Sequence, residues 1–257
     1  NSEVTIDNAR NINVDHRIVA DNAKLTINNS GVLKVDSKVD NIGNYAAIRS
    51  VGKDAEIHIN GSVEIDGNND LLAIGAYDLG KTYVSNGTIV GGIVATDGGS
   101  VFVNNDNAEN IVSITGDVEA KKDSKVTINF NTADSKLNGN VYGDGLVDLS
   151  FANKSIWTGY SNAEGFELAL NIDITLNDKS VWTGYSSADE LTLALNNSTW
   201  NNTGSSKVQS VTANKGVVNM TNASSGDVTI ANYSGSMVVL YNHSIADDAT
   251  STMTGGK

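Results

Sequence analysis

Histidine is the first residue type to weigh for acid–base chemistry, and the chain has three: His16, His58 and His243. None accompanies a Gly-x-Ser-x-Gly elbow or a Gly-Asp-Ser-Gly stretch, although a triad is assembled in space and not in sequence. His58 alternates in Glu56-Ile57-His58-Ile59, which puts it on the solvent side of a strand. Glycoside hydrolysis needs two carboxylates at a defined separation. The adjacent pair Asp247-Asp248 has no accompanying Gly-His-Gly or Asn-x-Asp motif and reads as a solvated turn. A lyase needs a basic residue, and the arginines, Arg10, Arg17 and Arg49, all fall near the start of the chain. Asp66-Gly67-Asn68-Asn69-Asp70 offers oxygen ligands but lacks the spaced acidic loop and distal Glu of a calcium site. No catalytic residue, metal site or cofactor is expected, and the chain reads as a non-enzyme.

Aromatic residues are the remaining candidates for contact with a partner. Trp157, Tyr160, Trp182 and Tyr185 recur in two Trp-Thr-Gly-Tyr runs, with Trp200 following. They suit either a strip that stacks on sugar rings or a structural stack of equivalent positions, and the repetition favours the stack. Tyr77, Asp78, Lys81 and Tyr83 fall within Asp66 to Gly87, outside clear strand alternation. That stretch reads as a loop leaving a rigid scaffold, a common place for recognition, so these four are the expected ligand-binding residues.

The elements that would position these residues are strands. Short alternating runs such as Leu25-Thr26-Ile27-Asn28, Val126-Thr127-Ile128-Asn129 and Val228-Thr229-Ile230 are rich in β-branched residues and bounded by Gly, Asn, Asp or Ser. No window carries a helical stripe. Asn153-Lys154-Ser155-Ile156-Trp157-Thr158-Gly159-Tyr160-Ser161 returns as Asp178-Lys179-Ser180-Val181-Trp182-Thr183-Gly184-Tyr185-Ser186, and Asn197-Ser198-Thr199-Trp200 is a shortened third copy. Ala23-Lys24-Leu25-Thr26-Ile27-Asn28 is echoed by Ala55-Glu56-Ile57-His58-Ile59-Asn60. Units this short, carrying two or three strands each, are coils of a solenoid; propeller blades need about 40 residues or more. The prediction is all-β, a single-stranded right-handed parallel β-helix of about a dozen coils. It spans 1–257 as one unit, with the clearest repeats over 144–220 and longer, loop-bearing coils over 37–100.

Composition agrees. The 257 residues include 25 Gly, no Pro and no Cys. Gly, like the abundant Asn, suits corners that need left-handed backbone. Proline would delete an inter-coil hydrogen bond. Without Cys, disulfides and thiolate chemistry are excluded, which is permissive for export. Seventeen basic against 30 acidic residues leave a net charge of −13, which repels phosphate backbones and anionic lipid, so neither nucleic-acid binding nor membrane insertion is expected. No basic segment followed by an apolar one opens the chain, so an export leader is expected to be absent from it.

Leu191 to Met220 carries a familiar order: Leu191-Thr192-Leu193-Ala194-Leu195, Asn197-Ser198-Thr199-Trp200, a Thr203-Gly204-Ser205 corner, Val208-Gln209-Ser210-Val211, and Gly216-Val217-Val218-Asn219-Met220. This resembles the passenger domains of pertactin-like bacterial autotransporters, with Val211 and Met220 standing where Leu is usual. The resemblance implies a β-helix exported through an outer-membrane barrel that this stretch does not contain. It implies location at the bacterial cell surface, or secretion. It implies an adhesin that binds a host or matrix glycan or protein. Two alternatives are a self-associating passenger that binds another copy of itself and a β-helix enzyme acting on polysaccharide.

Overall fold

The computed structural model describes residues 2–37, 46–66, 72–121, 123–162, 171–188, 191–221, 227–241 and 252–253. These residues form strands and no helix, and the strands pair in parallel as a β-solenoid. Each coil runs through three faces. The first two belong to one 18-stranded sheet, because long strands such as Lys24–Asp36 and Glu56–Asp66 bend across the corner between them with a shift in register. The third face is a separate 7-stranded sheet running from Ile18–Asp21 to Ser161–Asn162.

The stack makes about 9 turns, fewer than the dozen expected. Corner segments take up chain: the link from Val103 to Val112 is long. The end coils also do not close round a core. Val4 and Ile6 are exposed at one end, and Tyr233, Met237 and Val239 are only partly covered at the other.

Parallel pairing in register turns the alternation of each strand into columns. On the first face Ile59, Val84, Val103, Ile128 and Leu149 lie one above another and are fully buried. On the second face Ile65, Ile89, Ile114 and Leu137 give way to Trp157, Trp182 and Trp200 in the same inward column. The third face answers this change in size. Its inward column runs Ile74, Ile93, Val118 and Val141, then becomes Ser161 and Ser186. Both serines are fully buried, with their hydroxyls 2.8 Å apart. A close-packed interior of fixed width takes the large indoles only if the opposite wall shrinks.

The three indoles stack with centroids 4.5 and 4.8 Å apart, near the ~4.8 Å spacing of paired strands. Each indole N–H donates to a glycine carbonyl of the preceding coil: Trp157 to Gly139 at 2.9 Å, Trp182 to Gly159 at 2.9 Å and Trp200 to Gly184 at 3.0 Å. These glycines turn the corner from the second face to the third. A Cβ at Gly159 or Gly184 would sit 1.9 or 1.7 Å from the carbonyl oxygen of the glycine beneath it. The Trp-Thr-Gly-Tyr run is thus a corner-building unit: Trp fills, Gly turns, and the previous glycine carbonyl accepts.

A cleft at the corner of the first two faces

The expected recognition loop is built differently. Tyr77 ends the third-face strand Leu72–Tyr77; its ring lies across Gly75, and the Arg49 guanidinium carbon is 5.8 Å from the ring centre. Asp78 and Leu79, with φ of 51 and 70°, make a tight corner. Lys81 and Tyr83 then lie inside the regular strand Lys81–Val90. None of the four sits on a protruding loop. Tyr83 and Lys81 point outward in alternation with buried Thr82 and Val84, an alternation that Thr82 obscures in the sequence.

Tyr83 is instead the middle ring of an outward ladder. It stacks between His58 and Phe102, with centroids 4.4 and 4.8 Å away and nearly parallel planes. The rings occupy one another's faces and turn their edges outward, so this ladder leaves Tyr83 no face for a sugar ring. Burial, and then the Glu56 charge, push the Tyr83 hydroxyl above its ordinary pKa. His58 lies on the solvent side, 3.2 Å from Glu56, which accepts from Lys24 at 2.9 Å. The Lys24 hydrogen bond, joined by His58, holds the Glu56 carboxyl below its usual range against the cost of burial.

Tyr160 and Tyr185 form a separate half-buried stack, 5.1 Å apart, just outside the glycine corner. His243, Asp247, Asp248 and residues 67–70 of the calcium-like run lie outside the described residues. Among the described residues no group of three or more His, Asp or Glu side chains is placed to hold a metal ion.

Two groups of acidic residues stand out in the stack. Asp148 and Asp173 are register partners on adjacent first-face strands. Burial pushes the Asp148 carboxyl up; Lys125 opposes this and Asp173 adds to it. On the third face burial raises the Glu119 carboxyl, and burial with the Asp117 and Glu119 charges pushes Tyr142 up to about 12. Asp117 has a structural task as well, accepting from the Asn140 backbone N–H at 2.7 Å.

Among the described residues a shallow, open concavity lies where the first face turns into the second. Its volume is about 580 Å³, and its lining comes from successive coil corners. Glu109 stands on the long link between Val103 and Val112, Asn131 to Ala133 belong to the next corner, and Asn153-Lys154, Asp178-Lys179 and Asn197 follow. The long link is tied down. Buried Asn104 donates to the carbonyls of Ala108 at 3.0 Å and Asn129 at 3.1 Å, and Asn129 donates back to the Asn104 carbonyl at 2.9 Å. Asn131 donates to the Asn107 carbonyl at 2.8 Å, and Asn153 to Asn131 Oδ1 at 2.9 Å. The far wall is backbone ladder: Lys154 N donates to the Asp178 carbonyl and Lys179 N to that of Asn197. The amide rungs thus tie the successive corners that line the concavity to one another.

Lys154 and Lys179 are the unusual members. Both have left-handed backbone, φ of 69 and 66°, directly after Asn153 and Asp178 with φ of 55 and 51°. Asn and Asp tolerate that region, whereas for a long side chain it costs on the order of 1 kcal/mol. Both side chains are exposed, and neither ammonium has an ion-pair partner among the described residues. In the sequence both lysines stand in the repeated Asn153-Lys154-Ser155 and Asp178-Lys179-Ser180 that precede the tryptophans. In comparisons with protein-family models, curated proteins and solved structures none matches this chain, so its functional reading rests on its own residues.

Proposed function

We propose that this chain is the display rod of a bacterial adhesin, at the cell surface or released, of the autotransporter-passenger kind, and that it binds a glycan in the corner cleft. The observation that carries the reading is the cleft itself: about 580 Å³, lined by amide, hydroxyl, ammonium and carboxylate groups on rigid successive corners. Such a row matches a polymer with hydroxyls repeated along its length, and preorganised donors spare the ligand the cost of ordering them. The passenger-like order of Leu191 to Met220 agrees with display outside the cell.

The test is a glycan and matrix-protein array probed with the purified chain and with Ala133→Trp. Ala133 is exposed on the cleft wall outside the amide ladder, so the variant fills the space without cutting a rung. The expected result is glycan binding without turnover by the wild type and a loss of about ten-fold or more in the variant. An empty array, or equal binding by Ala133→Trp, overturns the reading.

A second reading, association between rods, draws on a different feature. Ile156, Val181, Thr199, Val217 and Val238 form one outward column on the second face through five consecutive coils. Ile156 and Val238 are 44% and 56% exposed. An in-register β-branched stripe on one face suits the same stripe of a second copy.

A further inference from the structure

We infer that the ligand of the corner cleft is an acidic glycan, a polysaccharide whose sugars carry carboxylate or sulfate groups. The inference rests on the glycan reading and specifies its chemistry. Two lysines one coil apart present to a single cleft ammonium groups that are unpaired among the described residues. Both hold a left-handed backbone conformation that Leu79 also adopts after Asp78, so the conformation belongs to the corner and what the lysines add there is the ammonium group. A third left-handed lysine, Lys215 with φ of 57°, follows at the same corner beyond Asn197, whose backbone N–H donates to Asn214. The cations therefore form a broken row along the rod axis, in steps of ~4.8 Å per coil.

A neutral polymer would give the ammonium groups no charge of its own to meet, leaving them only the carboxylates of Glu109 and Asp178 in the same lining. An acidic one supplies an anionic oxygen for them while its hydroxyls reach the other groups. Asn131, Asn153 and Asn197 offer amides, and the carboxylates of Glu109 and Asp178 accept from hydroxyls. The overall charge of −13 opposes the approach of such a polymer. At ordinary ionic strength that opposition is screened beyond about 8–10 Å; within the cleft Lys154 and Lys179 balance Glu109 and Asp178, and Lys215 along the same corner adds a further cation.

The experiment compares polygalacturonate, the same polymer with its carboxylates reduced to neutral alcohols, dextran sulfate and plain dextran. The proteins are the wild type, the double variant Lys154→Asn/Lys179→Asn and the double variant Lys154→Arg/Lys179→Arg. Asn is at home in left-handed backbone, so the first double variant should melt at or above the wild-type temperature, which separates lost binding from lost fold. The expected result is binding to an anionic polymer that weakens with salt. It should fall several-fold per lysine and about ten-fold for the Asn pair, and be retained by the Arg pair. Which anionic polymer binds tells carboxylate from sulfate recognition. If the reduced polymer or dextran binds as tightly, and Ala133→Trp abolishes that binding, the acidic inference fails while the glycan reading stands. Wild-type affinity of the Asn pair for the anionic polymer likewise overturns the inference. If no glycan binds in the array or here, both readings fall together.

Discussion

At the residue scale, Asp148 shows how a solenoid turns one side chain into a pH-sensitive term. In isolation it is a strand aspartate; stacking places Asp173 directly beside it. Burial raises its pKa first, and the neighbouring carboxylate adds to the rise. A carboxyl with a raised native pKa favours the fold when protonated. Its contribution is fully present below the ordinary carboxylate pKa and is lost as pH rises through the higher native value. Asp148→Asn should therefore raise the melting temperature at pH 7 and change it little in acid. Thermal unfolding of both proteins from pH 3 to 8 checks this, and a variant less stable at pH 7 than the wild type contradicts it. Glu56 runs the other way. Its lowered pKa stabilises above the ordinary carboxylate value, and that is lost as pH falls through the native one, so the wild-type profile sums opposing slopes.

At the element scale the Trp-Thr-Gly-Tyr corner separates two contributions that the repeat presents together. Trp182→Phe keeps a ring in the column but removes the N–H that donates to the Gly159 carbonyl at 2.9 Å, and leaves that carbonyl with one partner fewer. The expected loss is about 1–2 kcal/mol. Gly184→Ala places a methyl 1.7 Å from the Gly159 carbonyl oxygen, against backbone that cannot yield without parting two coils. Its cost should be on the order of 3 kcal/mol or more. Denaturant midpoints give both values, and a Gly184→Ala protein as stable as the Trp182→Phe one would show that the corner is softer than its geometry implies. The same reasoning revises the stretch from Asp66 to Gly87. It contributes the third-face strand Leu72–Tyr77 and much of Lys81–Val90, so deleting it would remove rungs of the core rather than trim a loop.

At the scale of the whole molecule, an apolar stripe on the second face and a net charge of −13 compete. The stripe from Ile156 to Val238 favours contact between copies, whereas like charge opposes it until salt shortens its range. Association through this face should be concentration-dependent and strengthen with added salt. Val217→Lys, which sets a charge in the middle of the stripe, should abolish it. Sedimentation velocity at low and high ionic strength reads this directly, and a monomer at all concentrations and salts rejects the second reading. The cleft lies on the corner beside this face, so glycan binding and self-association can be separated by Ala133→Trp and Val217→Lys.

Strand alternation, the Asn and Gly corners and the recurrence of Trp157, Trp182 and Trp200 are local or periodic, and a solenoid repeats local structure. For that reason the all-β solenoid and the tryptophan repeat could be read from the residues in order. Register is different. Asp148 and Asp173 stand at the same offset as Trp157 and Trp182, so the repeat itself aligns them, but nothing in the order of residues places His58 under Tyr83, because coils of unequal length shift the alignment by amounts set by corner packing. Asp78 does lie in a turn, but Tyr77 ends one strand and Lys81 and Tyr83 lie in the next, where buried Thr82 breaks the apolar alternation that marks a strand and only its neighbours in the stack reveal it. The cleft has no signature in the order of residues, since a concavity exists only once a long corner stands beside shorter ones. Periodicity thus determined the kind of rod, while the unequal corners, fixed only in three dimensions, decided where its surface is concave.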